Sequence, residues 1–158
     1  MAVDFYLKLD GITGEATDSN HKDEIQLLSF SWGGSQVTSV AGTGGSGAGR
    51  CDLSDLSIMK HLDKSSSQVF KAMISGTHIK TGVLSAVKAG ADGKPFLKLS
   101  LEELFVTSVQ TSASSEVPSE SVSFSYNKIK YEYWTQNDQG ILTATGAVTY
   151  NLKQNKIT

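Results

Sequence analysis

The chain is poor in the features that would staple it, anchor it or attach it to nucleic acid. It has one cysteine in 158 residues, so Cys51 cannot close an internal disulfide and the fold is not organised by oxidation. It has no apolar run approaching the roughly 20 residues that a spanning helix needs, which argues against membrane insertion. Basic residues are scarce and dispersed: the net charge is −2, and the densest cluster is Lys128 with Lys130. Phosphate neutralisation requires a basic face, so nucleic acid is excluded as a partner. The start, Met1-Ala2-Val3-Asp4-Phe5, lacks the basic and apolar regions of a signal peptide. A chain made and folded in the cytoplasm is expected, one that leaves the cell, if it does, without a cleaved signal. What is present is an ordinary globular composition, 39% hydrophobic and 19% charged, over the length of one domain spanning 1–158.

Period-2 alternation dominates and predicts a mainly β protein. Val3, Phe5, Leu7 and Leu9 share one face of a first strand. Three later stretches change phase partway. Ile25 and Leu27 give way to Leu28, Phe30 and Trp32. Leu97, Leu99 and Leu101 give way to Leu104 and Val106 after Glu102-Glu103, and Val122, Phe124 and Tyr126 to Ile129, Tyr131 and Tyr133. Such a change marks either a β-bulge or a strand crossing between sheets, and three in one small domain predict coiled sheets, as in a barrel. A last strand places Leu142, Ala144, Gly146, Val148, Tyr150 and Leu152 on one face. Residues 89–95 and 136–140 carry hairpin chemistry.

One helix is expected. Ser65 and Gln68 form a capping box, Val69, Phe70, Met73 and Ile74 an apolar face, and Gly76 a left-handed C-terminal cap. About ten helical residues cannot stand alone, so the helix docks on the sheets.

No catalytic constellation emerges. Gly42-Thr43-Gly44-Gly45-Ser46-Gly47 matches the spacing G-x-G-x-x-G, but no helical pattern opens after it and no βαβ unit surrounds it. His21, His61 and His78 have no metal-type spacing with one another or with Cys51. Glu102 and Glu103 are expected as a solvated pair beside a bend, Asp52 and Asp55 as loop or strand-edge residues, and the serines as polar strand faces without a nucleophile elbow. No cofactor and no enzymatic activity are expected.

Several separated motifs, in order along nearly the whole chain, resemble the hemolysin-coregulated protein (Hcp) family. They are Asp4-Phe5-Tyr6-Leu7-Lys8-Leu9-Asp10-Gly11-Ile12-Thr13-Gly14-Glu15, Asp18, Lys22 through Ile25, and Phe30-Ser31-Trp32-Gly33. Asp63-Lys64-Ser65, Gly76-Thr77-His78, and Pro118-Ser119-Glu120 before Val122 through Tyr126 continue the match. The resemblance implies a two-sheet β-barrel with one short flanking α-helix and an extended Gly-rich loop. It further implies a homohexameric ring that stacks into the inner tube of the type VI secretion system. The implied partners are other copies of the chain, a VgrG-type spike, a contractile sheath, and effector proteins carried in the lumen. The Gly-rich loop (Gly42, Gly44, Gly45, Gly47, Gly49 and Arg50, with Val37 and Val40 near its base) is the expected stacking element. A monomeric β-barrel that binds a ligand is the alternative reading.

Overall fold

The computed structural model describes residues 2–39, 47–88 and 93–158. Alternating apolar residues build two antiparallel sheets that share one long strand. The first sheet runs β12 (Lys156–Ile157), β11 (Leu142–Asn151), β10 (Lys128–Gln136), β8 (Pro95–Ser112), β7 (Ile79–Lys88), β1 (Val3–Leu9), β2 (Ile25–Leu27). The second runs β3 (Ser29–Ser31), β6 (Leu56–His61), β9 (Ser119–Ser125) and the C-terminal part of β8. The strands β4 (Gly34–Ser39) and β5 (Gly47–Leu53) form a separate two-stranded ribbon. The first sheet does not close on itself. It joins the second through β8 and through a corner at Leu28, whose N–H donates to the Met59 carbonyl at 2.7 Å.

All three phase changes fall where the chain leaves one sheet for the other. Leu28 separates β2 in the first sheet from β3 in the second. Within β8, residues 97–102 pair with β10 and residues 105–112 with β9. Between those two segments Glu103 adopts φ +55°, and this single left-handed residue moves burial from Leu101 to Leu104. Tyr126 and Asn127 carry the chain from β9 back to β10. The hairpin expectations also hold. Residues 89–95, of which 89–92 lie outside the described residues, join antiparallel β7 and β8, and Gly93 has φ +73°. Residues 136–140 join β10 and β11, with Gly140 at φ +79°.

The last strand departs from its expected single face. The register passes from Glu132↔Ala147 to Trp134↔Ala144, so a bulge at Thr145-Gly146 opposes Tyr133, and Gly146 takes φ +113°. Leu142 and Ala144 therefore lie on the face opposite Val148 and Tyr150, and the strand ends before Leu152.

The core lies between the sheets and includes Leu7, Ile25, Leu84, Leu99, Leu101, Leu104, Val122 and Phe124. The helix α1 (Ser65–Ser75) packs against β8 and ends at Gly76, φ +63°, as expected. Its expected apolar face is only partly the buried one. Val69 and Ala72 are buried and Met73 packs on the core, but Phe70 is 51% and Ile74 66% exposed. The capping box does not form either. Lys64 is the N-cap, Gln68 bonds its carbonyl, and Asp63 accepts from the Ser65 N–H and hydroxyl at 2.9 and 2.5 Å.

Helix α1 is pinned to the second sheet by a buried ionic network. Lys60, with 0% exposure, lies directly opposite Glu120 across β6 and β9, on the core face. Its ammonium contacts Glu120, Asp63 at 3.0 Å, Ser66 Oγ at 3.0 Å and the His61 carbonyl at 3.3 Å. Ser66 Oγ donates in turn to Glu120 at 2.8 Å.

Candidate functional site

The second sheet has two different faces. Toward the core it carries rows such as Phe30–Ile58–Val122–Val109. On the opposite face the same registers align Ser31, Ser57, Ser123 and Ser108 across four strands, with Ser57 and Ser123 hydroxyls 3.1 Å apart. The next rows are Ser29, Met59, Ser121 and Gln110, then His61, Ser119 and Ser112. In a chain with 14 Lys and Arg and 16 Asp and Glu, no acidic or Lys/Arg side chain occupies any of these positions. Serine alternation in β9 and β3, with Ser57 on β6, thus writes a hydroxyl-rich surface of low charge.

This sheet is also open at both ends, and the ends differ. Among the described residues β3 pairs only with β6, and residues 105–112 of β8 pair only with β9. Each leaves backbone donors and acceptors without a strand partner, a ready template for pairing with another chain. The far end of the first sheet is open as well. Most of β11 is exposed on both faces, and the C-terminal segment pairs with it only near its end, at Tyr150 and Asn151 and through reciprocal Thr149–Thr158 backbone bonds. Apolar groups left uncovered there include Tyr131, Val148 and Ile157, and on the helix Phe70 and Ile74.

The β4–β5 ribbon leaves the two-sheet body between Trp32 and Ser54. Gly33 and Ser54 clamp its base: the Ser54 N–H and hydroxyl both donate to the Gly33 carbonyl at 2.8 Å, and Ser54 Oγ accepts the Gly33 N–H at 3.0 Å. Trp32 Nε1 donates to the Tyr126 hydroxyl at 2.6 Å, and that hydroxyl donates to the Ser54 carbonyl at 2.8 Å. Burial pushes the Tyr126 phenol pKa up against the opposing Trp32 bond. Sequence reasoning missed this chain, although Trp32 and Tyr126 both sit at phase changes. Of the expected stacking residues, Gly47, Gly49 and Arg50 lie in β5, with Gly47 opposite Ser39. Gly42, Gly44 and Gly45, with Val40, lie outside the described residues. Part of the expected loop is therefore a strand, and its neighbour Val37 is 76% exposed.

The residues weighed for chemistry are spread over different elements. Cys51 sits on the ribbon opposite Gln36, and His61 ends β6. His78 packs at 5.4 Å on Phe105. His21 stacks on Tyr6, with ring centroids 4.4 Å apart, and its Nδ1 lies 3.0 Å from Glu24. Asp55 accepts from the Thr107 hydroxyl at 2.8 Å, and Asp52 lies in β5. Glu102 and Glu103 flank the bend and pair with Lys128 and Lys153 at 3.7 and 3.1 Å, and the Lys153 hydrogen bond lowers the Glu103 pKa. Among the described residues no three His, Cys, Asp or Glu side chains converge as a metal site, and no helix is long and apolar enough to cross a membrane.

Two sheets joined through β8, with unlike open edges and a serine-rich strand face, define a mainly β class of fold. Comparison with known proteins gives the family. Residues 6–133 match the family described as type VI secretion system effector, Hcp. The protein hcp1 of Pseudomonas aeruginosa is 36% identical over 160 residues, covering 98% of each chain. A solved structure described as a type six secretion system protein superposes with a TM-score of 0.93 at 30% identity, covering 99% of this chain and 100% of that one. Hcp1 from Salmonella typhimurium follows at 0.79 and 31% identity, with the same coverage. The chain belongs to the Hcp family, whose members are structural, secreted tube proteins of type VI secretion and not enzymes.

Proposed function

We propose that residues 1–158 act as one domain, six copies of which close into a ring, and that the rings stack into the tube of the type VI secretion system. The observation that carries this reading is the pair of unlike open edges on the second sheet. Joining the β8 edge of one copy to the β3 edge of the next is a heterologous contact, which propagates head to tail and ends only on closing a ring. The number six comes from the family and not from the edge geometry. In such a ring the serine rows line the lumen, where a hydroxyl surface of low charge passes cargo of either sign. The lumen then carries effector proteins, with a VgrG-type spike at the tip and a contractile sheath outside. The β4–β5 ribbon, with Gly42 through Arg50, reaches the neighbouring ring and sets the stack. The subunit is cytoplasmic before assembly and is then expelled through the type VI apparatus.

Native mass spectrometry with face-on electron microscopy of the purified protein tests the reading. A six-copy mass, unchanged under reducing conditions, and round particles with a central hole are expected. A monomer at micromolar concentration would overturn it.

A further inference from the structure

Among the described residues the β4–β5 ribbon pairs with no strand of either sheet, so its direction is set at its base. The seven residues of β5 extend it by roughly 23 Å, and a tilt of about 10° at the base then displaces the far end by about 4 Å. A displacement of that size breaks any hydrogen bond made there. A ribbon that has to meet a site outside its own chain needs a base that holds one angle.

The base is built to hold one. The chain enters the ribbon through Trp32 and leaves it through Leu53, and both side chains pack on the core. Trp32 lies over Tyr131 of β10, with ring centroids 6.0 Å apart and planes at 28°. Gly34, the first residue of β4, is in register with Leu53, and a Cβ there would stand 2.6 Å from the Leu53 side chain. The Gly33–Ser54 bonds join the two strands to each other, but both ends of those bonds turn with the ribbon. The Thr107–Asp55 bond reaches only the departing side. The Tyr126 hydroxyl alone reaches both sides from the body: it accepts from Trp32 Nε1 on the entering side and donates to the Ser54 carbonyl on the departing side. Tyr126 lies at the crossing from β9 to β10 and is 7% exposed, so this grip comes from the rigid interior. A phenol supplies an acceptor and a donor from one atom, which phenylalanine of the same shape does not.

We infer that the Tyr126 hydroxyl, bridging Trp32 and Ser54, is the positioning group that fixes the direction of the ribbon, and that stacking of rings depends on it. The inference rests on the reading of the ribbon as the stacking element.

Double electron–electron resonance reads the ribbon's direction without requiring tubes. Nitroxides are placed at the exposed positions Thr38→Cys on the ribbon and Lys130→Cys on β10, in a Cys51→Ser chain diluted with unlabelled copies. Ring mass and melting temperature are followed beside it as controls for the fold. The distance distribution should widen about twofold in Tyr126→Phe and in Trp32→Phe, with no further widening when the two are combined, since both cut the same bridge. Tube growth followed by light scattering should need about tenfold more Tyr126→Phe protein than wild type, at equal ring mass. A merely structural hydroxyl would lower the melting temperature and leave the label distances unchanged. That outcome, or tubes of Tyr126→Phe growing at the wild-type threshold, would overturn the proposal. Tubes that grow normally without residues 36–51 would instead overturn the stacking reading beneath it.

Discussion

Replacing Lys60 with methionine should destabilise the subunit more than any substitution of a surface lysine. The side chain is fully enclosed, and its ammonium is the cationic partner of both Glu120, 2% exposed, and Asp63. Methionine keeps most of the aliphatic stem and so leaves no large cavity. What it removes is the charge, stranding two carboxylates in low dielectric. Breaking a buried pair from one side costs about 3–5 kcal/mol, because the remaining charge is uncompensated. Against a total stability of about 5–15 kcal/mol, that is a large fraction. At 158 residues each kcal/mol moves the melting midpoint by roughly 2–4 °C, so Lys60→Met should melt roughly 6–20 °C lower. The assay is scanning calorimetry at fixed protein concentration, since assembly shifts apparent stability. A cycle with Glu120→Gln isolates the pair. The double variant no longer holds a stranded Glu120 charge and should lose less than the sum of the singles, by roughly 1–3 kcal/mol. A single variant that melts within about 2 °C of wild type, or strict additivity in the cycle, would refute the reasoning.

Phe70→Ala removes a half-exposed ring and should cost the isolated subunit only about 1 kcal/mol, while raising the concentration needed for rings in native mass spectrometry. Exchanging residues 36–51 for a two-residue turn should leave ring mass unchanged and abolish tube growth in electron microscopy, because the Gly33–Ser54 clamp closes the base without the ribbon. Lys153→Ala should raise the Glu103 carboxyl pKa toward its ordinary value in an NMR titration. A depressed carboxyl stabilises above its unfolded pKa and loses that contribution as pH falls through the folded value, so wild type and variant should converge in stability at acid pH.

Much of the fold was legible because alternation records which face is covered. The three phase changes each located a crossing between sheets, since exchanging sheets exchanges the covered face. The ionic network was written in the same code and overlooked. Lys60 shares its phase with Leu56 and Ile58, and Glu120 with Val122 and Phe124, so a cation and an anion stand in core phase on two strands. The bulge in β11 was hidden because Gly146 fits a regular strand as readily as a φ of +113°. The bridge from Tyr126 to Trp32 and Ser54 was not legible at all. It joins segments distant in sequence, and no local pattern encodes that contact.

The helix shows why periodicity cannot separate a core from an interface. Val69 and Phe70 are adjacent and equally apolar, yet one is 1% and the other 51% exposed. Alternation and helical spacing state that a face must be covered, not by whose atoms. In a chain that folds alone those two statements coincide, and an expected apolar face is an expected core. Here they separate at Phe70 and Ile74, at Val148, and at backbone edges of the second sheet. The apolar residues sequence reasoning assigned to the core and the structure leaves in solvent are therefore the strongest positions to probe for contact between copies. An interface assembled from them inherits the chemistry of a core, and its loss should be read in assembly before it is read in folding.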